Sequence, residues 1–390
     1  MPTPVTPTLI RELGYAVTTD VMNRKEAIAI DRRALPLLDF TWGRRKTDAG
    51  QAGSKTRVNL KVAGSTQLQG WNGRDVLGFQ GNEIDLTMEF EFYNIHSGLE
   101  FVHTDLLDMG YTVMYNESRT KNFAKRSGPD EINRLANLFE EKVETHFDNW
   151  KVLMDQAMHY STDPMLPPGI DQLISVTPTI GTIGGKDRAS NPLLQNVGGT
   201  LQGINLNALN CSGNGNLYRG LTIALRQANI YGRGRSARVD RLFAGSVFLD
   251  GHSGFRQRTG NPATAYAVTT PGAHIGLTTM VKPDKLGKQD MAILDTEHYF
   301  AGMPIEFDPT LDLLDQIGTP DNGVPFSCRC YGIASKAFEV RCPPKMDMQV
   351  SFPVDPPDQR FTRMSTDSRC APVVTVPNAH FVLAVDPATV

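Results

Sequence analysis

The sequence lacks the features of disulfide-rich, membrane-spanning or strongly basic proteins. It has only five cysteines, an odd number in a long chain, which favours buried, reduced thiols over a disulfide framework. Its net charge is −3 at pH 7, whereas proteins that bind nucleic acid through phosphates usually carry a basic domain. No apolar run approaches the roughly 20 residues of a membrane helix. We therefore expect a folded chain that neither crosses a membrane nor reads a nucleic-acid sequence.

Motifs for phosphate and metal binding are incomplete. Ile180 stands where a phosphate-binding loop at Gly181–Asp187 needs its first glycine, and Asp187 stands where the loop needs serine or threonine. Cys328 and Cys330 are separated by one residue, which is not the spacing of a zinc site. We predict no cofactor and no metal site.

A nucleophile elbow is incomplete in the same way. The apolar segment Leu242–Leu249 is predicted to be a buried strand, and Asp250–Phe255 follows it. Ser253 would be the nucleophile, but Phe255 stands where the elbow needs glycine. A hydrolase with its site at Asp250–Phe255 therefore remains an alternative, and we otherwise predict no catalytic residues.

Two segments near the start of the chain alternate between apolar and charged residues. Thr56–Val62 places Arg57 and Lys61 opposite its apolar face, and Ile84–Phe92 places acidic residues in the same way. Period-two alternation predicts half-buried strands, and antiparallel pairing would set the basic face across from the acidic face. Because an isolated hairpin is marginally stable in water, we expect this one to lie on a neighbouring subunit.

The longest apolar periodicity in the chain predicts a helix of about thirty residues ending near Tyr160. Ser127, Pro129 and the acids that follow are a typical helix start, and apolar residues then recur at helical spacing. At 1.5 Å per residue the helix would be roughly 45 Å long. Such a helix would act as a structural spine.

Shorter patterns predict the remaining elements. A helix is predicted near Ala27–Leu35, ended by Pro36, and another over Leu217–Ile230. The residues from about 331 onward are rich in proline and in strand patterns, which we predict at Phe338–Val340, Met348–Phe352 and His380–Val385.

This order of elements resembles that of the tailed-bacteriophage major capsid proteins, the Hong Kong 97 fold. The local stretches that carry the resemblance are Gly169–Ile174, Gly181–Gly185 and Ser190–Pro192, which look like the entry to the axial domain of that family. The resemblance implies an α+β fold with these parts: an N-terminal arm (1–48), an E-loop hairpin (49–97), a peripheral (P) domain with the spine helix (98–168), an axial (A) domain (169–330) and C-terminal strands that return to the P domain (331–390).

By this resemblance the function is structural and non-enzymatic. Subunits would assemble as hexamers and pentamers in the bacterial host cytoplasm, into an icosahedral phage head, the virion's shell around double-stranded DNA. The implied partners are a separate scaffolding protein, a portal and a decoration protein. An encapsulin-like compartment shell is the closest alternative.

The resemblance also implies where subunits meet. The apolar stripe of the hairpin would be covered by the spine helix of a neighbour, and its charged face would set the register between subunits. The residues expected at inter-subunit contacts are Arg44, Arg45, Lys46, Arg57, Lys61, Trp71, Asp85, Glu89 and Glu91.

Overall fold

The structure is a computed structural model, and it describes residues 4–5, 34–47, 53–61, 85–102, 112–113, 129–212, 215–232, 237–258, 298–317, 323–344, 346, 348–351 and 361–390. Within these residues the helices are α1 (Pro36–Trp42), α2 (Pro129–His159), α3 (Ile170–Leu173), α4 (Leu217–Gly232), α5 (Ser246–Arg258) and α6 (Pro309–Ile317). Short 3₁₀ helices cover Pro192–Leu194, Pro377–Ala379 and Pro387–Thr389.

The described strands range from two residues to the fourteen of β17. They are β1 (Pro4–Val5), β2 (Lys46–Thr47), β3 (Lys55–Lys61), β4 (Asp85–Glu91), β5 (Tyr93–Val102), β6 (Thr112–Val113), β7 (Thr182–Ile183), β8 (Lys186–Asp187), β9 (Thr200–Leu201), β10 (Ile204–Asn205), β11 (Arg241–Ala244), β12 (His298–Phe300), β13 (Met303–Phe307), β14 (Arg329–Ile333), β15 (Phe338–Cys342), β16 (Gln349–Val350), β17 (Phe361–Val374) and β18 (Phe381–Ala384).

The predicted long helix is confirmed as α2, which has 31 residues. Its buried stripe includes Phe139, Val143, Trp150 and Met154, at the three- and four-residue spacing of one helix face. This stripe packs on β5, where the rings of Phe101 and Phe139 lie 4.4 Å apart, and on α1. None of the described helices is long and apolar enough to cross a membrane.

Helix α1 corrects the prediction for the N-terminal segment. Pro36 does not end a helix but occupies the first turn of α1, where the missing N–H of proline has no intrahelical partner to lose. The predicted helix at 27–35 falls mostly outside the described residues. Trp42 at the end of α1 packs edge-on against Trp150 of α2, with ring centroids 5.6 Å apart. Helix α1 therefore packs directly on α2.

One mixed five-stranded sheet has the order β12-β13-β11-β14-β18. The predicted strand Leu242–Leu249 extends only to Ala244, because the chain turns at Gly245 and α5 begins at Ser246. A Cβ on Gly245 would lie 2.5 Å from the Cα of Ser327, so only glycine fits at this turn. The predicted helix over Leu217–Ile230 is confirmed as α4.

A second sheet has the order β16-β17-β15-β2, and β5 also pairs with β17 over ten residues from Phe361 to Cys370. The sequence patterns indicated β15, β16 and β18 but missed β17, the longest described strand. β15 and β17 pair in this sheet, whereas the last strand, β18, pairs with β14 in the first sheet. The C-terminal strands therefore contribute to both sheets.

Candidate functional site

The charged hairpin forms as predicted, with β3 antiparallel to β4. Lys55 pairs with Glu91 and Arg57 with Glu89 in the strand register. Lys55 Nζ lies 3.1 Å from a carboxylate oxygen of Glu91, and Arg57 Nε donates to Glu89 across 2.9 Å. The basic and acidic faces therefore neutralise each other within one chain.

Three of the expected contact residues in the hairpin region are described less fully or not at all. Lys61 and Asp85 pair in the strand register at the far end of β3 and β4, but their side chains lie outside the described part of the structure. Trp71 falls wholly outside the described residues. Their contribution to a subunit interface stays a prediction.

The apolar face of the hairpin is covered by the same chain. Val58, Leu60, Met88 and Phe90 are all buried and belong to the core cluster that also contains α1 and α2 residues. The hairpin formed by β7 and β8 lies at the edge of β4: the N–H of Glu89 donates to the carbonyl of Gly184 across 3.0 Å, and Ile183 belongs to the same core cluster. This corrects the expectation that the stripe, in its described part, needs a neighbour's helix to cover it.

The basic patch after α1 divides into a paired and an exposed part. The Nζ of Lys46 lies 2.6 Å from a carboxylate oxygen of Glu339 on β15. The guanidinium groups of Arg44 and Arg45 are exposed and lie over the rings of Phe40 and Trp42, at 5.0 Å and 5.5 Å from the ring centroids. The stacking holds both groups at the surface in defined positions.

An apolar groove runs beside the C-terminal half of α2. Its volume is about 640 Å³, and its walls include Ile95, Trp150, Leu314 and Phe326. Leu153 on α2 and Ile317 at the end of α6 also line it and are 62% and 66% exposed. Large apolar side chains exposed together along a groove are typical of a surface that a partner covers.

A buried charge cluster joins α2 to the segment before α6, and no sequence pattern indicated it. Asp155, His159 and Asp308 are at most 2% exposed. Nδ1 of His159 lies 2.7 Å from the backbone carbonyl of Asp155, and Nε2 lies 2.8 Å from a carboxylate oxygen of Asp308. The carbonyl oxygen of Asp155 and an ionised carboxylate of Asp308 can only accept hydrogen bonds. When Asp308 is ionised, both ring nitrogens of His159 therefore carry a proton.

The electrostatics of the cluster agree with a protonated ring. Burial by itself lowers the pKa of His159, but the carboxylates of Asp308 and Asp155 outweigh it and raise the pKa to about 9. The remaining acceptors are satisfied by the N–H of Leu38 on α1 and by the hydroxyl and N–H of Thr310. The side chains of Asp155, His159 and Asp308 lie close enough together to hold a metal ion. The imidazole ring of His159, however, lies between the two carboxylates, and this arrangement suits a protonated ring better than a metal ion bound by all three side chains.

The residues weighed for catalysis do not form a site. Ser253 lies in the interior of α5 and not at a strand-to-helix turn, so the geometry of a nucleophile elbow is absent. The stretch Gly181–Asp187 is the β7–β8 hairpin, and Asp187 accepts hydrogen bonds from Ser190 that lower its pKa. Burial raises the pKa of Cys328 to about 11, which makes it a poor nucleophile.

Comparison with solved structures places this fold among virus shells. The chain is 11% identical to a protein of the cyanophage A-1(L) capsid asymmetric unit, with a TM-score of 0.55 over 95% of this chain and 98% of that one. It is 7% identical to a protein of the mature capsid of bacteriophage PhiM1, with a TM-score of 0.50 over 93% and 90%. An encapsulin complex from Synechococcus elongatus, at 10% identity and 95% coverage of both chains, reaches a TM-score of only 0.42. No family model and no curated protein matches the sequence.

Proposed function

We propose that this chain, which shares the fold of tailed-phage capsid proteins, is a major capsid protein of a tailed bacteriophage. The observation that carries the proposal is the likeness to the cyanophage A-1(L) capsid protein over nearly the full length of both chains. A likeness over 95% of this chain and 98% of the other, rather than over one shared sheet, supports the same overall architecture. The function that follows is structural: many copies form a closed shell.

Within that architecture, α2 is the proposed spine helix and the β3–β4 hairpin belongs to the proposed E-loop. The 31 residues of α2 and the internal ion pairs of the hairpin support these assignments, because both elements are built to keep an extended shape. The proposed divisions remain an N-terminal arm to residue 48, an E-loop to 97, a P domain to 168, an A domain to 330, and C-terminal strands.

We place the subunit contacts on surfaces that the chain leaves uncovered. The hairpin's charges are paired within the chain and exposed at the surface, where each pair contributes little to stability, so they remain available to set the register with a neighbour. Arg44 and Arg45 offer fixed positive charge beside α1. The groove flanked by Leu153 and Ile317 offers the apolar area that an assembly contact needs.

The charge balance suits a wall around DNA. A net charge of −3 would confine a packaged duplex without binding its phosphates tightly, because affinity for DNA rises with each phosphate that a protein neutralises. We propose hexamers and pentamers as the building units, with a separate scaffolding protein, a portal and a decoration protein as partners. Assembly would take place in the host cytoplasm.

A charge placed in the groove tests the assembly role. Leu153→Glu should abolish or strongly reduce particle formation while the subunit stays folded, because Leu153 is already 62% exposed and its replacement opens no cavity. Ile230→Glu is the matched control: Ile230 is 56% exposed on α4 and lies outside the groove. Particle yield by sedimentation and folding by circular dichroism are measured for both variants.

The outcome separates an assembly surface from a general effect of surface charge. Loss of particles in Leu153→Glu alone supports the proposal. Normal particles from Leu153→Glu would contradict the placement of a subunit contact in the groove.

A further inference from the structure

A cavity of about 1130 Å³ lies between the β3–β4 hairpin, the β7–β8 hairpin and α3. Its walls combine apolar residues, such as Phe90 and Ile183, with charged ones. The assembly role proposed above does not require this cavity.

The guanidinium of Arg188, on the wall of this cavity, is only partly satisfied. The side chain is 1% exposed, and its Nη2 donates to the carbonyls of Gln172 and Leu173, at the end of α3, across 2.6 Å and 2.9 Å. Its Nε and Nη1 are buried without a hydrogen-bond partner among the described residues. Buried donors on a charged group are costly to leave unpaired, so these two point to a missing acceptor.

The acid nearest to Arg188 is already engaged. Oδ1 of Asp171 accepts hydrogen bonds from Nη1 of Arg329 and from the hydroxyl of Tyr331, and no hydrogen bond joins it to Arg188 in the described part of the chain. Arg329 is fully buried. Of the two buried guanidinium groups near Asp171, Arg329 is therefore paired with it, and Arg188, which lines the cavity, is not.

The remaining charges around the cavity form no ion pair with Arg188 in the described part of the chain. Lys55 pairs with Glu91, and Arg57 pairs with Glu89, across the hairpin. Lys186, the first residue of β8, is exposed and has no acidic partner among the described residues. The pairing leaves Arg188 deep in the wall and Lys186 at the rim.

We propose that this cavity is a binding site for a single carboxylate group, held by Arg188. A carboxylate supplies two acceptor oxygens in the plane that a guanidinium presents. Its single negative charge matches the single unpaired buried cation, whereas a phosphate group near pH 7 carries between one and two charges. Desolvation by burial lowers the pKa of Arg188, as it does for a cation without enough negative charge around it.

Equilibrium dialysis of dissociated subunits against radiolabelled acetate, at constant ionic strength in chloride, tests the site. We expect one acetate per chain with a dissociation constant on the order of 1 mM, in the range open to so small a ligand. Arg188→Gln, which loses the charge, should weaken binding at least tenfold. Lys186→Gln, which changes only the rim, should weaken it less than threefold.

A second variant keeps the test informative if Arg188→Gln does not fold. Arg188→Lys keeps the positive charge and a donor for one of the two carbonyls, but it lacks the planar fork, so acetate should again bind at least tenfold more weakly. Absence of saturable acetate binding to wild-type subunits would overturn the proposal. Equal binding by wild type and a folded Arg188 variant would also overturn it.

The same measurement on assembled particles identifies the natural source of the carboxylate. Acetate bound by dissociated subunits but not by particles supports the site and indicates that an acidic side chain of a neighbouring copy occupies it. Acetate bound by both supports the site and indicates a free carboxylate ligand. The dialysis of dissociated subunits does not depend on assembly, so the site can fail while the capsid function stands, and the reverse.

Discussion

Replacement of Asp308 by asparagine should destabilise the subunit in a pH-dependent way. Asp308 accepts a hydrogen bond from Nε2 of His159 across 2.8 Å, and both side chains are buried. Asparagine keeps the size of the side chain, and its oxygen can still accept the N–H of Thr310, which now bonds Oδ1 of Asp308. Its NH₂ group then faces Nε2 of His159 in place of the carboxylate oxygen. The substitution therefore removes the charge and replaces an acceptor by a donor, which a neutral imidazole can accept but an imidazolium cannot.

The magnitude follows from the pKa of His159. A pKa raised from 6.5 to about 9 corresponds to about 3 kcal/mol of folding free energy, similar to the roughly 3–5 kcal/mol lost when a buried ion pair is broken. Because the folded-state pKa is the higher one, this stability is fully present below about pH 6.5 and is lost as the pH rises through about 9.

Urea unfolding of dissociated subunits across this pH range measures the effect. We expect Asp308→Asn to cost about 3 kcal/mol near pH 6 and only about 1 kcal/mol, the value of an ordinary hydrogen bond, above about pH 9. Asp250→Asn is the control, since Asp250 is exposed on α5 and should change stability by less than about 0.5 kcal/mol. A cost for Asp308→Asn that is the same at both ends of the range would refute the assignment of a buried imidazolium.

Two further predictions concern the hairpin. Gly184→Ala should destabilise the subunit by more than Gly181→Ala, because a Cβ at Gly184 would lie 2.5 Å from that of Met88, whereas nothing lies within 4 Å at Gly181. Both glycines have positive φ, so the difference, about 1–3 kcal/mol, reports overpacking, and equal costs in thermal unfolding would contradict the contact. Arg57→Glu should lower the free energy of unfolding of the subunit by less than about 1 kcal/mol yet reduce particle yield. The double variant Arg57→Glu with Glu89→Arg should restore the ion pair. Unchanged particle yield from Arg57→Glu would show that this face has no part in assembly.

The sequence predicts the elements whose periodicity is long or regular. The 31 residues of α2 carry an apolar stripe over many turns, and the alternation in β3 and β4 determines both the pairing and its register. The long strand β17 carries a weak sequence signal, because its alternately buried positions include the polar residues Thr362, Thr366 and Ser368 and its segment includes Pro372. Pro36 was misread because proline both ends helices and begins them.

The buried charge clusters could not be predicted from the sequence. Asp155 and His159 are four residues apart, which places them on one face of a helix, but Asp308 joins them from 149 positions beyond His159. Asp171 and Arg329 are likewise 158 positions apart. Such pairs depend on tertiary packing, and no local pattern distinguishes them from exposed charges.

The cover of the hairpin's apolar stripe is a second tertiary effect. Alternation shows that one face of β3 and β4 is buried, but it does not show what buries it. A neighbouring subunit and other elements of the same chain are equally consistent with the pattern. The burial of Val58, Met88 and Phe90 within the single chain decides in favour of the chain itself.

The most direct test of the capsid function is the mass and shape of the purified protein, from light scattering together with negative-stain imaging over a concentration series. We predict closed shells, or hexamers and pentamers that close into shells when a crowding agent is added. A monomer or dimer at every concentration, with and without the crowding agent, would contradict a subunit that closes into shells without a scaffolding protein.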